Sequence, residues 1–99
     1  TGPEDFCLLE AFQPTCSTGE VILMNTAVYG RMKVGKCVKP NSEKIGCYAD
    51  VLQTVDNLCS GKTTCVVRAL DPVLADTNPC NSVVLPSYLT VSYSCITGK

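Results

Sequence analysis

The apolar positions of this chain fall into three patterns. Residues 20–28, EVILMNTAV, hold an unbroken apolar block, VILM at 21–24, and predict a core strand. Residues 88–95, YLTVSYSC, alternate instead. Leu89, Val91, Tyr93 and Cys95 fall on one side, and Thr90, Ser92 and Ser94 on the other, which predicts a half-buried strand. The stretch YADVLQTVDNLCSGK, residues 48–62, places Val51, Leu52, Val55 and Leu58 on one helical face and most of its polar residues on the others. It predicts a helix, with Gly61 where a C-terminal cap requires a positive φ. Residues 6–12 and 64–70 predict two further strands, the first ended by Gln13-Pro14. Ser17-Thr18-Gly19 marks a turn, and Gly and Pro breakers make loops of 33–46 and 71–86. The sum is about four mostly antiparallel strands and one main helix, an α+β domain.

Cysteine changes that picture most. Eight of 99 residues are Cys, at 7, 16, 37, 47, 59, 65, 80 and 95. An even count in so short a chain reads as a disulfide framework made in an oxidising compartment. Zinc sites favour C-x2-C pairs, often with His, and this chain has neither. No metal or cofactor is expected. Spacing leaves the 105 possible pairings of eight cysteines open. Four bridges at about 2–4 kcal/mol each matter in a domain this small. No repeat or linker divides the chain, so residues 1–99 read as one domain with its core at 7–95.

Charge excludes several functions. Eight basic against nine acidic residues give a net charge of −1, without the basic surplus of a nucleic-acid binder. No apolar run reaches the ~18 residues of a membrane helix. No secretory leader is present, so the chain reads as a mature or excised piece. Without histidine, Ser-His-Asp and Cys-His catalysis are impossible. The carboxylates fall mostly in predicted loops or on the helix's polar face, and the chain reads as non-enzymatic. A binding module remains. Sugar sites combine an aromatic ring with carboxylates, amides or cations that bond hydroxyls. Tyr29, beside Gly30, is the expected exposed ring.

Three segments carry a resemblance: AVYGR at 27–31, NPC at 78–80 and YLTVSYSC at 88–95. They are similar to the A-N-Y-G-R, D-P-C and K-Y-L-x-V-x-Y-x-C signatures of the sea-urchin-egg-lectin (SUEL) type domain. That domain binds rhamnose or galactose and occurs in fish-egg lectins and latrophilin-type adhesion receptors. The resemblance spans residues 7–95. It implies a small antiparallel β-sandwich-like body with a helix and the pairs Cys7–Cys37, Cys16–Cys95, Cys47–Cys80 and Cys59–Cys65. It also implies where a sugar would sit, and there the chain departs from the family. Sugar-binding members carry Glu directly after the first Cys, where this chain has Leu8, with Glu10 two residues later. Read as a strand, that segment displaces Glu10 by about 6.6 Å. The Asp of D-P-C becomes Asn78, with Asp76 nearby, and the Lys before Y-L becomes Ser87. Charged hydrogen bonds contribute about 1.5–3 kcal/mol each, so losing two removes most of a weak monosaccharide affinity.

The expected function is an extracellular recognition module, secreted or part of a receptor ectodomain, within a larger protein and with an altered sugar site. The alternative is a working lectin domain for rhamnose- or galactose-type or anionic glycans. Candidate sugar ligands are Tyr29, Glu10, Asp76 and Asn78. Val83, Val84 and Leu85 offer an apolar loop to a protein partner, and Arg31, Lys33, Lys36 and Lys39 are a weaker candidate site for an anionic glycan. Tyr29 and Arg31 also admit a bracing role in which Gly30 supplies a bend. No nucleic acid or membrane insertion is expected.

Overall fold

The computed structural model describes residues 2–81 and 86–98. In chain order these form β1 (Glu4–Phe6), β2 (Ala11–Phe12), β3 (Glu20–Arg31), β4 (Cys47–Asp50), α1 (Leu52–Cys59), β5 (Val67–Arg68), α2 (Pro72–Ala75) and β6 (Tyr88–Thr97). An antiparallel sheet in the order β1-β6-β3-β4 forms one layer. The β2–β5 ribbon and α1 cover it, and their buried residues share one core. The architecture is the expected disulfide-rich α+β fold, and all four bridges have the pairing that the resemblance implied.

Strand β3 organises the rest. Ile22 and Met24 face the core, the register shifts between Met24 and Thr26, and Ala27 and Tyr29 then face the core. Such a bulge inserts one residue, so the inward positions change from even to odd. On its far side β3 has a composite partner. Strand β4 pairs with residues 28–31. Beyond it the Val51 amide donates to the Ala27 carbonyl, the Ser60 hydroxyl accepts from Met24 N–H, and Gly61 and Lys62 bond Ile22. The edge is thus satisfied by a short strand and by the two ends of a helix.

These pairings move several expected boundaries. Residues 6–12 do not form one strand, because Cys7 to Glu10 make a turn closed by Glu10 N–H to Cys7 C=O at 2.9 Å. Residues 48–50 join β4 rather than the helix, which starts at Leu52 with its N–H bonded to the Asp50 carboxylate. Helix α1 buries Val55 and Cys59, one turn apart, while Leu58 is partly exposed. Only Val67–Arg68 of residues 64–70 pair as a strand. The 71–86 segment contains a short helix that the apolar pattern missed. Its local signals are Asp71, whose carboxylate accepts from Val73 N–H, and Pro72 in the first turn. Gly61 has φ +85°, as its position after the helix predicts.

Candidate functional site

Strands β1 and β3 end, and β4 and β6 begin, at one edge of the sheet. The strand ends and connections that meet there hold the described candidate residues. Tyr29-Gly30-Arg31 closes β3 at this edge, and each of the three is buried.

Tyr29 is the main correction to its expected exposure. Its ring is 3% exposed, between Leu89 of β6 and Ala49 of β4 in register, because the bulge at residue 25 turns it into the core. A sugar cannot stack on a ring so placed. Burial also raises the Tyr29 hydroxyl above the ordinary tyrosine range, since the phenolate would be desolvated. The folded state therefore holds this proton more tightly than the unfolded chain. The associated stability is complete below the unfolded tyrosine value near 10 and is lost as pH rises through the folded value. In an alkaline absorbance titration, Tyr29 should ionise above the ordinary tyrosine range, together with unfolding, and a Tyr29→Phe variant should lose that late phase. A late phase that survives in the variant would contradict the buried placement.

Gly30 lies against the β4 backbone, where a Cβ would come within 2.3 Å of the Cys47 carbonyl oxygen. Arg31 is 3% exposed, and its guanidinium donates to the Glu43 carbonyl at 3.2 Å and the Pro86 carbonyl at 2.6 Å. It ties the 32–46 loop to the segment entering β6 by bonding the backbone of both. Tyr88, also buried, accepts from the Lys33 amide and donates to the Lys33 carbonyl. Lys44 donates to the Cys80 and Asn81 carbonyls, beside the Cys47–Cys80 bridge. The structure therefore favours the bracing role for Tyr-Gly-Arg.

Four of the remaining candidates form two groups on either side of β3. Glu10 and Lys36 sit by the Cys7–Cys37 bridge, with a 3.1 Å ion pair. The Glu10 carboxylate also accepts from Cys7 N–H at 2.8 Å. That backbone bond first, and Lys36 second, hold its carboxyl below the usual carboxylate range. Because residues 7–10 turn, the displacement expected for an extended strand does not apply. Glu10 reaches back along the turn, and Leu9 at its tip is 86% exposed. The Cys7, Glu10 and Cys37 ligand atoms lie within 4.8 Å of one another, but both sulfurs are spent in the bridge, leaving a lone carboxylate.

Asp76 and Asn78 form the other group, exposed between α2 and Cys80. Asp76 caps α2, and Asn78 has φ +42°, a left-handed conformation that Asn tolerates. Lys33 and Lys39 are exposed on the 32–46 loop. Val83, Val84 and Leu85 lie outside the described residues. The ring exposed near this edge is Tyr48, in place of Tyr29. It is 61% exposed on β4, the most exposed aromatic in the chain, and it pairs opposite Gly30. Its strand is visible only once β3 is in place, because its local sequence reads as helix.

Comparison with known proteins fits this geometry. Residues 15–95 match the family model described as the D-galactoside/L-rhamnose binding SUEL lectin domain. The chain is 39% identical over 85 residues to a rhamnose-binding lectin of Silurus asotus, covering 81% of this chain and 26% of that protein. It is 31% identical over 105 residues to a D-galactoside-specific lectin of Heliocidaris crassispina, covering 93% and 88%. It is 35% identical over 79 residues to the L-rhamnose-binding lectin ELEL-1 of Echinometra lucunter, covering 78% and 73%. The chain thus spans about a quarter of the Silurus asotus lectin and most of the other two. With the four bridges, the Tyr-Gly-Arg strand end and the closing strand all in place, this chain belongs to the SUEL lectin domain family.

Proposed function

We propose that this chain is a non-enzymatic, extracellular recognition module of a larger protein, with its family's monosaccharide site remodelled. The observation that carries this reading is the state of the first-cysteine turn. Leu8 stands where sugar-binding members have Glu, and the neighbouring carboxylate, Glu10, is already engaged by Cys7 N–H and Lys36. A sugar hydroxyl would have to displace a charge-assisted bond to use it. Asp76 and Asn78 supply polar atoms on the other side of β3, but with Tyr29 buried they have no stacking ring from the Tyr-Gly-Arg motif. Four disulfides support an oxidising, extracellular setting. No helix among the described residues is long and apolar enough to cross a membrane. Leu9, presented at the tip of the altered turn, favours a protein as partner at this edge.

The test is an NMR titration of the labelled domain with L-rhamnose, D-galactose and a sulfated glycan. Up to about 50 mM monosaccharide, a range that detects binding weaker than −4 kcal/mol, no saturating shift should appear at Leu8, Glu10, Tyr29, Asp76 or Asn78. Saturating shifts clustered there would mean a working site of the family type and would sink the remodelled reading. Shifts at Lys33, Lys36 and Lys39 with the sulfated glycan alone would replace the protein partner by an anionic matrix ligand.

A further inference from the structure

Along the β1 side of the sheet runs a groove of about 410 Å3, lined chiefly by Glu4, Phe6, Phe12, Gln13, Pro14 and Tyr93. No residue of the Tyr-Gly-Arg strand end, the 32–46 loop or the segment before Cys80 lines it. Its volume falls within the range of about 300–1,000 Å3 typical of small-molecule sites. Three rings form its apolar part. Phe6 and Phe12 stand 5.5 Å apart at 58°, and Phe12 and Tyr93 5.5 Å apart at 66°. Phe12 is 2% exposed and serves as the floor, whereas Phe6 and Tyr93 are only partly buried. All three rings are carried on strands: β1, β2 and β6. Ring positions set by sheet register are more rigid than positions on loops.

Polar groups complete the groove. Glu4 and Phe6 are two residues apart on β1, so both project to the same face. Gln13 follows β2 directly and is exposed. Among the described residues the Glu4 carboxylate has no hydrogen-bond or ion-pair partner. An unpaired acceptor and an amide thus stand over partly exposed ring surface.

We propose that this groove is a saccharide-binding subsite that takes a neutral hexose or deoxyhexose residue. The C–H face of the sugar rests on Phe6 and Tyr93, and its hydroxyls donate to the Glu4 carboxylate and exchange hydrogen bonds with the Gln13 amide. The lining carries a carboxylate and no cation, so uronic acids and sulfated sugars are repelled. An ammonium ligand fits less well, because the central ring of the three is covered and the Gln13 amide has no part in holding it. Rings, a carboxylate and an amide are assembled here on strands away from the Tyr-Gly-Arg edge. Glycan recognition is thereby moved to another side of the same fold.

The test uses the full labelled chain titrated with the methyl glycosides of galactose, rhamnose, mannose and glucose. Glucuronate and choline serve as charged controls. At least one glycoside should give saturable shifts at Glu4, Phe6, Ala11, Gln13 and Tyr93, with a Kd of about 1–10 mM. Glu4→Gln should weaken that binding about tenfold, the value of one charged hydrogen bond, and Gln13→Ala a few-fold. Both positions are exposed, so the urea midpoints of the variants should match the parent. Absence of shifts at these five residues with all four glycosides overturns the subsite. So does a stronger response to choline, or full binding by Glu4→Gln. A wholly flat titration removes the subsite and leaves the remodelled-site reading standing, whereas shifts confined to Tyr29, Asp76 and Asn78 remove both.

Discussion

Alanine at position 30 will separate strand β4 from the sheet and lower the unfolding free energy by about 3 kcal/mol or more, at or beyond the upper end of ordinary overpacking. The added methyl would come within 2.3 Å of the Cys47 carbonyl oxygen and 2.6 Å of the Tyr48 Cα. Both are backbone atoms, so no side-chain rotation relieves the contact. Either β4 moves away or β3 twists at Gly30. Moving β4 breaks its pairing with residues 28–31 and pulls on the Cys47–Cys80 bridge, which holds the Asp76–Asn78 segment. Urea unfolding should show a lower midpoint, and hydrogen exchange should show amide protection lost first in residues 47–50. An alanine variant with the parent's midpoint and a protected β4 would refute the close approach. Gly30 is thus needed for strand contact, and the Tyr-Gly-Arg motif builds this edge of the fold whether or not the edge holds a ligand.

Removing the Cys16–Cys95 bridge will cost more than removing any other. It links residues 79 apart, against 30 for Cys7–Cys37, 33 for Cys47–Cys80 and 6 for Cys59–Cys65. The entropy a bridge removes from the unfolded chain grows with the logarithm of loop length, giving about 4.5 kcal/mol for the longest loop and about 2 kcal/mol for the shortest. Paired serine variants unfolded in urea should rank in that order, with the Cys16/Cys95 pair at the lowest midpoint. If the Cys59/Cys65 pair were equally damaging, the bridges would be acting through local native geometry rather than through the unfolded chain. A domain of 99 residues has a small core, so a loss of this size removes a large part of its stability.

The elements whose side chains answer to their own neighbours were legible in the sequence. The VILM block, the alternation of 88–95 and the 3.6-residue spacing through Val51 and Val55 each report a local period, and each marks an element of the fold. The oxidised framework followed from eight cysteines without histidine, and their pairing followed from resemblance to the family. Asp71-Pro72 carried a start signal for α2, but a four-residue helix has no period to detect. Strand β4 was hidden differently. Tyr48, Ala49 and Asp50 continue a helical pattern, yet β3 needs partners for its amides at 28–31, and that demand is stronger than local preference.

The candidate site shows the same division. The sequence by itself determined which residue types are available to the Tyr-Gly-Arg edge. Only the tertiary structure decided which of the remaining side chains are accessible. Counting by twos from Ile22 sends Tyr29 outward, and one bulge against β6 turns it inward. Arg31 reads as a surface cation until the carbonyls of Glu43 and Pro86, 12 and 55 residues away, take its donors. The groove beside β1 joins residues 4–6, 11–14 and 93, which become neighbours only when β6 pairs with β1 and β2 folds across them. A local period records which way a side chain points relative to its own element. Burial and accessibility depend on the partner opposite, and long-range pairing supplies that partner.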